Sequence, residues 1–251
     1  VIRTEVYGLL DGMAAATVEG KPLFHFAPGS HTFSIRTSSC NFRCKFCLNY
    51  HSAHRQKPVG RNFSPKEIVK MAEDHDCQGI TYTYTEPTIF IEIAHDTAEI
   101  AHEEGMYNTF VTNGYLTPEA IDYMSPYLDA ASINFKGSGN KQFYRKFMEV
   151  PRVSPILDAM EYMKKKGIFI EITNLIIPEI GDFIDDTRRL ATWTVENLGS
   201  KTPFHLTAFS PTYQITHLPR TPASMIEAHI DAAKGAGLEY VYSGNIPGHN
   251  Y

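Results

Sequence analysis

The feature that most restricts the fold of this chain is a regular alternation of short β-rich runs with amphipathic helical segments, from residue 33 onward. Such alternation predicts parallel strands joined by right-handed helical crossovers, in an open sheet or a barrel. The strand candidates are 33–39, 79–86, 107–114, 131–137, 168–177, 204–210 and 238–245. We predict an α/β fold, a partial (β/α)6 TIM-like barrel of about six strands over residues 31–251, preceded by a short N-terminal extension over residues 1–30.

Helix signals lie between the strand candidates. Ser64 and Glu67 form a capping box, with Pro65 at the first helical position, and predict a helix that runs to about Cys77. Further helices are predicted over about 89–100, 154–167, 185–198 and 222–234. We find no linker, low-complexity tract or internal repeat, so the barrel is expected to form one domain.

The composition narrows the class of protein. The 251 residues are 43% hydrophobic and 20% charged, with a net charge of −5, as in an ordinary soluble globular protein. The run 164–166 of three lysines ends a predicted helix, where cations meet the negative end of the helix dipole, so it does not predict nucleic-acid binding. No apolar stretch of about 18 residues predicts a membrane span, and the N-terminus does not read as a signal peptide. We expect a cytoplasmic, reducing location, which disfavours disulfides.

Polar residues recur where the predicted strands end. Because the loops at the C-terminal ends of parallel strands converge on one face, these residues are expected to lie close together. They are Thr85, Glu86, Asn113, Asn134, Lys136, Thr173, Asn174, His205, Ser243 and Asn245. Single members have structural explanations, since Asn113 with Gly114 favours a turn and Glu86 can cap a helix. Because so many polar residues are expected at this one edge of the sheet, we predict that a ligand binds across the C-terminal ends of the strands.

Three of the four cysteines, Cys40, Cys44 and Cys47, lie within eight positions, directly after the first strand candidate. Together with His51 they could form a Cys₃His zinc site, and a non-catalytic zinc-binding module is therefore one hypothesis. Three thiolates can also hold three irons of a [4Fe–4S] cluster and leave the fourth iron open. The cysteines alone leave both possibilities open, whereas their position beside the polar rim favours the cluster. Cys77, at the end of a predicted helix, is expected to be a packed thiol.

The spacing Cys-x₃-Cys-x₂-Cys after a first strand, with Phe46 before its last cysteine, resembles the radical S-adenosylmethionine (SAM) superfamily. Within it, the chain resembles the glycyl-radical-activating enzymes related to the pyruvate formate-lyase activase. It looks closer still to the AmmeMemoRadiSam system radical enzymes. The segments that carry the resemblance are KPLFHFAPGSHTFSIRTSSCNFRCKFCLNY, YTYTEPTIF, FVTNGY, INFKG, EITNLIIPEIGD and YVYSGNIPGHN.

The resemblance implies two cofactors, a [4Fe–4S] cluster held by the three clustered cysteines and SAM chelating the open iron. Tyr84, Thr85 and Glu86 stand at a Gly-Gly-Glu-Pro motif, whose glutamate meets the methionine amino group. Lys136 matches a lysine that contacts the methionine carboxylate, a chemically sensible ion pair. The other positions that it implies for the cofactor pocket are Phe46, against the adenine, and Asn113, Asn134, Thr173 and His205.

The implied activity is reductive cleavage of SAM to a 5′-deoxyadenosyl radical that abstracts hydrogen from a substrate. Such an oxidoreductase is expected to work anaerobically with an external electron donor of flavodoxin or ferredoxin type. Its substrate is either a glycyl-radical enzyme activated in trans, or a small molecule or other macromolecule from which hydrogen is abstracted.

Two departures from the activases bear on that choice. Val111 and Asn134 stand where the activases have aspartates of a cation site, and Tyr84 and Thr85 replace the two glycines. We therefore expect a target other than the pyruvate formate-lyase glycine. A compact-ligand lining is expected from residues near the strand ends: His51, His54, Tyr213, His217 and His249.

Overall fold

One twisted sheet organises the protein, for which a computed structural model describes residues 4–246. Within these residues the strands are β1 (Leu9–Thr17), β2 (His31–Thr37), β3 (Arg61–Asn62), β4 (Gly79–Tyr82), β5 (Tyr107–Thr112), β6 (Ala130–Lys136), β7 (Phe169–Ile176), β8 (Phe204–Ala208) and β9 (Val241–Gly244). They lie in the order β3-β1-β2-β4-β5-β6-β7-β8-β9. β2 and β4 to β9 are parallel, whereas β1 and β3 are antiparallel additions at one edge. The α/β class and the partial barrel are confirmed, and each predicted run contains a parallel strand, so the barrel has seven rather than about six.

Helices connect the parallel strands. Those described are α1 (Tyr50–Ala53), α2 (Pro65–Asp74), α3 (Ile91–Glu103), α4 (Pro118–Met124), α5 (Lys141–Phe143), α6 (Ser154–Lys165), α7 (Ile184–Asn197) and α8 (Ala223–Gly235). The predicted capping box is present, because Ser64 Oγ accepts from the Glu67 amide and the Glu67 carboxylate accepts from the Ser64 amide. Among the described residues, no helix combines the length and the apolar character needed to cross a bilayer.

The two faces of the sheet have different chemistry because successive strand residues point to opposite sides. On the outer face, Ile80, Tyr82 and Phe110 are fully buried in the apolar core with residues of the covering helices. On the inner face, the hydroxyl of Thr81 lies 2.6 Å from that of Thr32 and 2.7 Å from that of Thr109. The helices therefore enclose the hydrophobic core, and the inside of the barrel is polar.

An N-terminal plug, residues 18–26, closes the end at which the parallel strands begin. The antiparallel pairing of β1 with β2 brings Thr17 beside His31, at the start of β2. The buried carboxylate of Glu171 then accepts hydrogen bonds from the backbone amides of residues 24–26, at 3.0, 2.8 and 3.3 Å. Three amide donors to one buried carboxylate make a strong anchor for a segment that has little secondary structure of its own.

Candidate active site

The cysteine loop lies at the opposite end of the barrel from the plug. Cys40, Cys44 and Cys47 all line one cavity of about 390 Å³. The loop is held by backbone hydrogen bonds from Arg43 to Met148, at 3.1 Å, and from Lys45 to Phe147, at 2.9 Å. Phe42 and Phe46 are buried beneath it, each 4% exposed. The loop is thus anchored on both sides of the thiols.

The electrostatic surroundings of the thiols favour binding to a positively charged centre. Burial raises the pKa of all three, that of Cys40 to about 12, and mutual repulsion raises the pKa values of Cys40 and Cys44 further. At Cys44 and Cys47 the nearby ammonium of Lys136 opposes this rise, but the pKa values remain raised. Buried thiols of this kind become thiolates when a metal centre supplies the compensating charge.

The zinc alternative requires the same thiols to converge on one ion together with His51. Among residues 4–246, no three His, Cys, Asp or Glu side chains form a group that could hold a single metal ion. His51 instead stacks on Tyr50, with ring centroids 3.9 Å apart. The thiols of a [4Fe–4S] cluster bind different irons, so their spacing is wider than that of ligands to one ion.

Glu86 supplies the carboxylate of the cavity. It is 2% exposed, and it accepts hydrogen bonds from the Thr112 hydroxyl at 2.6 Å and the Asn113 amide at 2.8 Å. It also caps the short turn Pro87–Phe90 by accepting from the Thr88 amide, so the capping role and the cavity position coexist. Burial raises the pKa of Glu86, because its effect is larger than that of these hydrogen bonds, which lower the pKa.

Lys136 supplies an ammonium group from the end of β6. Its Nζ donates to Asn134 Oδ1 at 2.8 Å, which orients two predicted cofactor residues toward each other. Burial lowers the pKa of Lys136 to about 8, and the Cys44 and Cys47 thiolates oppose that shift. The site therefore holds a carboxylate after β4 and an ammonium at the end of β6, the two strands that flank β5, and these charges complement those of an amino acid.

Tyr84 adopts a backbone conformation that favours glycine. Its φ is +64°, which is a genuine outlier for a bulky residue. Asn49 Nδ2 holds the Tyr84 carbonyl at 2.8 Å, and the ammonium of Lys21 donates to the Tyr84 hydroxyl at 3.1 Å. The two contacts, one to the backbone and one to the side chain, hold Tyr84 in a strained conformation that glycine would adopt without strain.

The cavity gathers most of the residues predicted for the cofactor. Those that line it are Phe46, Tyr84, Thr85, Glu86, Asn113, Asn134, Lys136 and Thr173. His205 is absent from this lining, and its predicted place at the rim is wrong. It is the second residue of β8, near the plug, with Nε2 only 2.7 Å from Glu171 Oε2. The error came from treating any polar residue of a strand as a rim residue.

The expected histidine lining also differs from the structure. Tyr213 stacks on Tyr50 at 4.5 Å and meets His54 edge-on at 5.2 Å, in an aromatic group that braces the outside of the cysteine loop. His217 is exposed and does not line the cavity, and His249 lies outside the described residues.

Sequence reasoning missed residues that act through tertiary contacts. Asn41 accepts from Asn113 Nδ2 at 2.6 Å and so links the cysteine loop to β5. Lys21 reaches the cavity from the plug, although no functional role was predicted for it. The carboxylate of Glu171, between two isoleucines of a buried strand, is a sequence signal for the plug contact.

Most residues of this site lie within a region of the chain that matches a known protein family. The model of the Radical SAM superfamily matches residues 34–193, which include the cysteine loop and the ends of β4 to β6. The chain belongs to this superfamily. Radical SAM proteins are enzymes that catalyse radical reactions with a [4Fe–4S] cluster and SAM.

Individual similar proteins cover different shares of the chain. An uncharacterized protein of Methanocaldococcus jannaschii is 40% identical over 97% of this chain and 72% of its own length. A second protein of that organism, whose name describes a glycyl-radical enzyme activating enzyme, is 26% identical over 64% of this chain and 62% of its own length. A radical SAM methyltransferase from Sphaerobacter thermophilus has a similar structure, with a TM-score of 0.64 and 17% identity over 84% of this chain and 66% of that one.

The residues of the cavity fit the two radical SAM cofactors. Three thiols share one wall, and their raised pKa values call for a cationic centre. Beside them lie the carboxylate of Glu86 and the ammonium of Lys136, which complement an amino acid. Phe46 adds an apolar aromatic surface at the edge of the same cavity.

Proposed function

We propose that this protein is a radical SAM enzyme that abstracts hydrogen from a small-molecule substrate, and that it belongs to the AmmeMemoRadiSam group. The observation that carries the proposal is the single cavity shared by the three thiols, Glu86 and Lys136. When bound there, the cluster and SAM supply reductive cleavage of the sulfonium carbon–sulfur bond and an adenosyl radical.

In this proposal the chain binds and orients the cofactor. Cys40, Cys44 and Cys47 would hold the cluster through three irons. Glu86 would accept the amino group of methionine and Lys136 would donate to its carboxylate. These residues come from the ends of β4 and β6 and from the anchored loop after β2, so rigid elements set their spacing.

The barrel interior would protect the reaction from water. Its closed end is sealed by the plug, through Glu171 and the amides of residues 24–26. The open end carries the cysteine loop, so substrate and cofactor would enter past the same rim. Exclusion of solvent protects a reactive radical from side reactions.

The activation of a glycyl-radical enzyme is the second candidate, supported by the 26% identical relative named for that activity. We favour a small molecule because Val111, which lines the cavity, and Asn134 replace the cation-site carboxylates of the activases. In addition, the cavity reaches inward as far as the plug, since Gly20, Lys21 and Pro22 line it. An internal site suits a compact substrate.

We also propose that the electron donor is an acidic protein of flavodoxin or ferredoxin type that docks on the cysteine-loop face. The chain has a net charge of −5, yet residues 20–66 contain eight lysines and arginines and no acid. Arg43, Arg55 and Lys57 are exposed on this segment, and the turn 144–148 beside the loop adds two exposed bases. Opposite charge would steer the donor toward the cluster.

Anaerobic reconstitution with iron and sulfide, followed by reduction in the presence of SAM, tests the proposed function. We expect 5′-deoxyadenosine and methionine as products. A reconstituted protein that binds about four irons but yields neither product would contradict the proposal. Formation of a stable glycyl radical on an added glycyl-radical enzyme, seen by electron paramagnetic resonance, would decide for the second candidate.

A further inference from the structure

Lys21 brings a second ammonium group into the cavity. The residue is only 5% exposed, and it lines the cavity together with the cysteines and Lys136. Its Nζ lies 3.1 Å from the Tyr84 hydroxyl and 4.6 Å from the centre of the Tyr84 ring. No carboxylate among residues 4–246 forms an ion pair with it. The proposed binding of SAM leaves this ammonium without a role.

A buried ammonium without a counter-charge is unfavourable, because a hydroxyl and an aromatic ring replace only part of its hydration. The one carboxylate of the cavity lining, Glu86, is already held by Thr112, Asn113 and Thr88. An anion that entered the cavity would therefore meet Lys21 as an available partner.

The ammonium is also held in place before any ligand arrives. The backbone amide of Lys21 donates to Val18 at 2.9 Å, within the plug that Glu171 anchors. A second cation, the guanidinium of Arg36, lies 5.6 Å from the centre of the Tyr84 ring. Arg36 itself is paired with Asp11 at 2.9 Å, so it is already neutralised. Preorganisation of this kind reduces the entropic cost of binding.

We propose that Lys21 binds an anionic group, a carboxylate or a phosphate, of the small-molecule substrate inside the barrel. The inference rests on the function proposed above, because a target of hydrogen abstraction has to lie in the cavity that holds the cofactor. Lys21 and the three cysteines line the same cavity of about 390 Å³. An anion on Lys21 would direct the rest of the substrate toward the cysteine loop.

Isothermal titration of the anaerobically reconstituted, SAM-loaded enzyme tests this inference, with succinate and inorganic phosphate as probes and chloride to hold ionic strength constant. We expect the parent to bind one equivalent of at least one probe, and the preferred probe identifies the anion. Lys21→Met should weaken that binding by about 10- to 100-fold, through loss of a charge-assisted hydrogen bond. Lys21→Arg should retain most of it, and Lys201→Met, which removes an exposed lysine, should leave it unchanged.

Two results would overturn the inference: no saturable binding of either probe by the parent, or equal affinity in Lys21→Met. If circular dichroism shows that Lys21→Met does not fold, a crystal of the parent soaked with arsenate decides, through the anomalous signal of arsenic. Arsenate on Lys21 supports the inference, and its absence from the cavity contradicts it. A parent that forms 5′-deoxyadenosine but fails these tests retains the proposed function and loses only the anion site, whereas a parent that forms none loses both.

Discussion

The carboxylate of Glu86 and the hydroxyl of Thr112 are 2.6 Å apart, and this hydrogen bond ties the chain after β4 to the end of β5. The Asn113 amide adds a second bond from the same strand end, at 2.8 Å. Because one donor is a side-chain hydroxyl and the other a backbone amide at the end of the same strand, β5 orients the carboxylate. The proposed amino-acid recognition by Glu86 and Lys136 therefore depends on the sheet, and the cluster on the loop.

We expect cluster assembly to depend on the three clustered cysteines and not on the residues proposed to bind SAM. Replacement of Cys40, Cys44 or Cys47 by alanine should abolish the visible absorption and the roughly four bound irons of the reconstituted protein. Cys77→Ala is the matched control, since Cys77 is buried in the apolar core. Iron analysis and absorption spectra check the result. Full iron content in any of the three variants would show that the cluster is held differently.

Lys136→Ala should weaken SAM binding by about 1.5–3 kcal/mol, because it removes a charge-assisted contact to the methionine carboxylate. The iron content should be unchanged, since Lys136 is not one of the residues proposed to hold the cluster. Equilibrium dialysis of SAM against the reconstituted protein measures the loss, with Lys201→Ala as the exposed-lysine control. An unaltered dissociation constant in Lys136→Ala would refute the role assigned to this residue.

The contact between Glu171 and the plug should make stability depend on acidity. Burial favours a higher pKa, but hydrogen bonds from His205 and from the amides of Phe24 and His25 outweigh it, so the pKa of Glu171 lies below its ordinary value. A carboxyl with a lower pKa in the folded state contributes stability above its unfolded pKa, about 4.3, and loses it as pH falls through the folded pKa.

The measurement compares thermal midpoints of metal-free parent and Glu171→Gln between pH 7 and pH 3. The parent should lose more stability than the variant over the acidic part of this range, because the variant has no carboxyl to protonate at this position. Glu104→Gln, an exposed change, should follow the parent. Parallel curves for parent and Glu171→Gln would mean that Glu171 does not couple protonation to folding.

Because the backbone at Tyr84 is strained, we expect glycine to be more stabilising than alanine at this position, the reverse of the order within a helix. At a φ of +64°, alanine carries a steric penalty of about 1 kcal/mol that glycine avoids, so Tyr84→Gly should be more stable than Tyr84→Ala. At Asp231, exposed within α8, the order should be the reverse by about 1 kcal/mol. Urea unfolding of the four variants provides the comparison, and the same order at both positions would show that Tyr84 is unstrained.

The strands and the cysteine loop could be predicted because their signals are local. Apolar runs of four to ten residues between helix caps define strands wherever they pack, and Cys44 lies three residues before Cys47 regardless of the fold. β1 escaped prediction because its sequence, LLDGMAAAT, is rich in alanine and includes a glycine. Both residues are poor strand formers, and only pairing with β2 makes this segment extended.

The plug and the position of His205 needed the three-dimensional structure. Residues 18–26 contain only a three-residue helical turn, Val18–Gly20, and their partners lie in β7 and β8. The sequence indicated that His205 belongs to a strand, but its height in the barrel depends on where that strand begins. β8 starts at Phe204, which puts His205 at the plugged end. Thr207, the second-to-last residue of the same strand, does line the cavity.

The anchorage of the plug also restricts the order in which the protein can fold. The amides of residues 24–26 bond to a carboxylate 145 to 147 positions later in the chain. During synthesis, this early segment has to wait until β7 has left the ribosome, at about 5–20 residues per second. Contacts of such long sequence separation form late, since their loop closure costs entropy before any stabilisation is gained. For many seconds, the end of the nascent barrel that the plug later closes would therefore stay open. A cluster inserted in that interval would be in place before the plug binds Glu171.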